Sequence, residues 1–79
     1  MARLTKLAEK SINELPDALQ IKARNIVSRL DVEPALGKKL LGKLAGLRSV
    51  RLGRTHRIIY KTEPEIIVLS VTPRSDAYR

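Results

Sequence analysis

Arg51, Arg57, Arg74 and Tyr78 are the residues of this chain whose types and spacing could do chemistry. A guanidinium binds a phosphate through two parallel hydrogen bonds, and its fixed positive charge stabilises a pentacoordinate phosphoryl transition state. RNA carries its own nucleophile in the 2′-OH. An enzyme acting on it must align that hydroxyl, help remove its proton and neutralise the phosphate, and none of this requires a metal. A tyrosine beside such a site stacks on a base or orients the sugar–phosphate backbone. Other chemistries have little to stand on. The chain has no cysteine, and His56 is its one histidine, so a zinc site would need carboxylates for nearly all its ligands. No metal and no cofactor is expected. The sequence shows no phosphate loop, dinucleotide fingerprint or nucleophile elbow. Ser49 or Ser70 with His56 and Asp76 composes a triad only on paper.

The elements that must position these arginines read as helices followed by strands. Leu7, Ala8, Ile12 and Leu15 recur at helical spacing and predict a helix over 6–15, ended by Pro16. Pro16 suits the first turn of a second helix, which Leu19, Ala23, Ile26, Val27 and Leu30 extend to residue 30. Leu36, Leu40, Leu41 and Leu44 are read as a short third helix, against the grain of Gly37 and Gly42. From Leu47 the period changes. Val50 and Leu52, then Ile58 to Tyr60, then Ile66 to Leu69 with Val71, give three strands joined at Gly53–Thr55 and at Glu63–Glu65. The expected fold is one α+β domain over 1–79. An N-terminal helical hairpin packs on a small antiparallel sheet, a three-strand C-terminal meander with at most a short N-terminal strand.

Charge points the same way as the arginines. The 79 residues hold 16 Lys and Arg against 8 Asp and Glu, a net +8 that favours a polyanionic partner. No acid occurs between Glu33 and Glu63, where Lys38, Lys39, Lys43, Arg48, Arg51, Arg54, Arg57 and Lys61 fall. Lys38, Lys39, Lys43, Arg48 and Arg54 are therefore read as RNA-binding, on phosphates. The apolar runs are too short to span a bilayer and the N-terminus lacks the apolar core of a signal peptide. A cytoplasmic protein without a membrane partner is expected.

Assembled in order, the fragments resemble the RelE/ParE toxin superfamily. They are the Leu-Pro break at Leu15–Pro16, Lys43-Leu44-Ala45-Gly46-Leu47-Arg48, Arg51-Leu52-Gly53, Arg57-Ile58-Ile59-Tyr60, Ile66-Ile67-Val68-Leu69 and Pro73-Arg74-Ser75-Asp76-Ala77-Tyr78-Arg79. The resemblance implies a RelE-like toxin of a type II toxin–antitoxin system: a ribosome-dependent mRNA endonuclease that arrests growth and is neutralised by a cognate antitoxin. It implies that Arg57 stabilises the scissile phosphate, that Arg74 serves the leaving 5′-oxygen and that Tyr78 stacks on the substrate. Arg51 falls near one of two basic positions on the preceding strand. Where a RelE-like member carries two lysines there, this chain has Ser49 and Arg51, so the usual proton-accepting lysine is missing and His56 becomes a candidate base. Two other readings stay open: a ParE-like inhibitor of DNA gyrase, and an inactive module that binds nucleic acid or antitoxin.

Overall fold

The structure is a computed structural model and describes residues 2–73. Its chain order is β1 (Arg3–Leu4), α1 (Lys6–Asn13), α2 (Asp17–Leu30), β2 (Lys38–Lys39), a 3₁₀ turn (Gly42–Leu44), β3 (Leu47–Leu52), β4 (His56–Lys61) and β5 (Ile67–Pro73). The five strands form one sheet in the order β1-β5-β4-β3-β2. Two helices on one sheet give the expected α+β class, and β3, β4 and β5 form the expected antiparallel meander. The sheet is mixed rather than purely antiparallel, because β1 runs parallel to β5.

Local chemistry fixes the helix ends. The Thr5 hydroxyl caps α1, accepting from the Ala8 N–H at 3.0 Å. The same hydroxyl donates to the Leu69 carbonyl at 2.8 Å. Leu69 is the additional residue where β5 slips against β4: Ile59 faces Ser70 but Tyr60 faces Val68. One side chain thus starts the helix and satisfies the bulge beneath it. Pro16 caps α2 without a side-chain bond, and Asp17 occupies the first turn, near the positive helix end.

The third helix expected over 36–44 is not formed. Gly37 is buried so tightly that a Cβ there would lie 2.7 Å from the Ser49 carbonyl oxygen. Gly42 and Gly46 have φ of +67° and +94°, which disfavours helix continuation through either. Leu40 is buried while Leu41 is 86% exposed, so the leucines do not make one helical stripe. The segment instead adds β2 to the edge of β3.

The core lies between the helices and one face of the sheet. Ala8, Ile12, Leu15, Ala23 and Leu30 meet Leu52, Ile58, Tyr60, Val68 and Val71. Tyr60 is fully buried. Its hydroxyl donates to the Pro34 carbonyl and accepts from the Gly37 N–H, both at 2.8 Å, tying the connection after α2 to the sheet.

Candidate phosphate-binding site

Strand alternation sorts the cations. Residues directly opposite in adjacent strands share a face, and neighbours along a strand alternate. Val50 and Leu52 face Ile58 and His56, and these belong to the side that carries the core. Ser49 and Arg51 face Ile59 and Arg57, and Arg57 in turn faces Thr72 on β5. Lys38 faces Ser49 from the edge strand. Lys38, Ser49, Arg51, Arg57 and Thr72 therefore come together on the face opposite the helices.

Lys38, Ser49, Arg51 and Arg57 line one cleft of about 490 Å³, with Gly37 at its wall. Arg51 and Lys38 are exposed, and Arg57 is half-buried. Arg51 and Arg57 stand directly opposite each other. Like charges so placed disfavour sheet pairing, by up to about 1 kcal/mol. Hydroxyls add to the contrast. Ser49 is 3% exposed, and neither its Oγ nor the buried Thr72 Oγ1 has a hydrogen-bond partner among the described residues. An unpaired buried polar group costs about 1–3 kcal/mol. The cleft thus holds cations beside buried hydroxyls, chemistry suited to an anion.

The remaining candidates separate. Arg48 lies on the Tyr60 side of β3 and donates from Nη1 to the Gly37 carbonyl at 2.8 Å, so its contact is with the fold. His56 lies on the helix side of the sheet, across from Leu52, with Nδ1 2.7 Å from the Thr55 hydroxyl. Alternation thus sets it apart from Arg57 despite their adjacency in sequence. Lys39, Lys43 and Arg54 are exposed: Lys39 faces Arg48, Lys43 is on the 3₁₀ turn and Arg54 in the β3–β4 turn. Arg74 and Tyr78 lie outside the described residues. Glu65 pairs with Arg3 at 3.4 Å. Among the described residues, no group of three or more His, Cys, Asp or Glu could hold a metal, and no helix is long and apolar enough to cross a membrane.

Ser49 and Thr72 are the site residues least visible in the sequence. Ser49 stood out as a member of a triad that exists only on paper and as a departure from the family pattern, and Thr72 is one more polar residue near a strand end. Only the ladder shows that both hydroxyls flank the arginines.

A sequence model described as the ParE toxin of the type II toxin–antitoxin system parDE matches residues 2–78. The chain belongs to this toxin family. Among solved structures, it is 29% identical to a chain of the RelBE2 toxin–antitoxin complex from Mycobacterium tuberculosis. That match has a TM-score of 0.82 and covers 94% of this chain and 96% of the other. The archaeal RelE–RelB complex from Pyrococcus horikoshii OT3 is similar at 26% identity and TM-score 0.73, with 96% of each chain covered. The YoeB–YefM complex from Staphylococcus aureus shares the fold at 20% identity and TM-score 0.77, over 91% of this chain and 93% of that one. No curated protein sequence matches the chain. The protein is thus a type II toxin with the fold shared by RelE, YoeB and YafQ toxins.

Proposed function

We propose that this toxin is an endoribonuclease that cuts mRNA on the ribosome by metal-independent attack of a 2′-OH on the adjacent phosphate. The observation that carries the reading is the Arg51–Arg57 pair, directly opposed on the helix-free face beside a cleft. Two guanidinium groups there would hold the scissile phosphate and neutralise the charge that builds as the 2′-oxygen bonds to phosphorus and the 5′-oxygen leaves. Arg74 would serve the departing 5′-oxygen and Tyr78 would stack on a base, as the family resemblance implies. Lys39, Lys43 and Arg54, exposed around the domain, would add phosphate contacts with ribosomal RNA. The reading includes a cognate antitoxin as partner, supported by the antitoxin-bound state of RelE-like neighbours.

The test is induced expression in bacteria, with primer extension on a translated message and on its untranslated version. Cuts confined to the translated message are the expected result. Uncut message with accumulation of cleaved DNA would instead favour gyrase inhibition, a second reading that the ParE description of the matching family keeps in play.

A further inference from the structure

The cleft contains a lysine that the linear sequence does not place there. Lys38 belongs to the two-residue edge strand, and its ladder partner is Ser49. Ser49 is nine-tenths buried and more, lines the cleft, and has no hydrogen-bond partner for its hydroxyl among the described residues. That Oγ carries under 1 Å² of exposed surface, so an anion at the cleft rim reaches it only as the atoms that cover it move aside. Lys38 and Arg51 are exposed, cationic and on that rim.

Stability does not explain this pairing. A buried serine with no partner is worse for folding than alanine, because its hydroxyl was desolvated for nothing. An anion changes the balance, since a hydroxyl donating to a charged oxygen makes one of the stronger hydrogen bonds. Gly37 brings the neighbouring backbone close: a Cβ there would meet the Ser49 carbonyl at 2.7 Å and the Tyr60 ring at 2.9 Å. The register of Lys38 against Ser49 therefore depends on a glycine immediately before it.

We infer that Lys38 and Ser49 form a phosphate-positioning pair for the RNA backbone, Ser49 Oγ–H donating to a non-bridging oxygen while the Lys38 ammonium supplies charge from the edge strand. The inference rests on the endoribonuclease reading for its substrate class. Both are positioning residues, and no proton transfer is asked of either.

The test uses the full chain with a fluorescent oligoribonucleotide methylated at its 2′-oxygens, which can be bound but not cut. Binding is measured across salt concentrations for wild type, Ser49→Ala and Lys38→Gln, with thermal unfolding in parallel. Loss of a hydrogen bond to a charged group predicts about tenfold weaker binding by Ser49→Ala, with a Tm no lower than wild type. Lys38→Gln removes one phosphate contact and should flatten the log–log salt slope by about 0.7, whereas Ser49→Ala leaves the slope unchanged. A merely structural role would move the Tm and not the slope. Unchanged affinity in Ser49→Ala, an unchanged slope in Lys38→Gln, or no saturable binding by wild type at low salt would overturn the pair. Primer extension on the wild type separates the two ideas. Cutting with indifferent variants sinks the pair alone, and RNA binding that follows the two variants without cutting sinks the nuclease reading alone.

Discussion

The two faces of this sheet are built by opposite rules. On the helix side the tyrosine hydroxyl inside the core is satisfied twice and the neighbouring side chains are aliphatic. On the other side two arginines oppose each other and two buried hydroxyls lack partners among the described residues. One strand serves both. Along β4, Ile58 enters the core while Arg57 turns to the cleft, one residue apart. The difference teaches that a domain this small can place its stability on one face and leave the other with charge and hydroxyls that folding alone would not favour.

Substitutions on the two faces should then separate fold from function. The largest effect is expected from Arg57→Ala, with mRNA cutting reduced about 100- to 1000-fold, the scale of removing one preorganised donor from a charged transition state. Quantified primer extension checks it, and the fold should survive. Next comes Ile58→Ala, which removes a fully buried side chain. It should cost about 2–5 kcal/mol in urea unfolding, enough to leave a domain of this size barely folded. Tyr60→Phe is smaller. It orphans the Gly37 N–H and the Pro34 carbonyl together, for about 1–3 kcal/mol by the same unfolding measurement. Smallest is Arg29→Ala, which breaks an exposed pair with Glu33 one helical turn away at 3.6 Å. A change of about 0.5 kcal/mol or less is expected. If Ile58→Ala unfolds no more readily than Arg29→Ala, the division between the faces is wrong.

Much of this fold was legible in the sequence because its signals are local. Helical periodicity marked both helices to within about two residues, and Pro16 separated them. β-Branched runs and Gly53 marked the hairpin, and the meander allowed Arg51 and Arg57 to share a surface, while their direct pairing is seen only in the ladder. What the sequence left open or misread depends on distant partners. β1, allowed for as at most a short N-terminal strand, is two residues long and exists because β5 offers it an edge sixty residues later. The leucines at 36, 40, 41 and 44 mimic a helix, and the backbone demands of Gly37, Gly42 and Gly46 outweigh that pattern. The same error placed Lys38 on a helix rather than across from Ser49. Arg48 and His56 looked equivalent to their neighbours by charge and position, yet strand alternation turns both toward the helix side.

The measurement that bears most directly on the two-faced sheet is urea unfolding and primer extension on the same preparation of Arg57→Ala. A midpoint close to wild type is expected, together with loss of codon-registered cuts in the translated message. Full cutting by a folded Arg57→Ala would contradict it, because the arginine pair would then have no part in handling the phosphate.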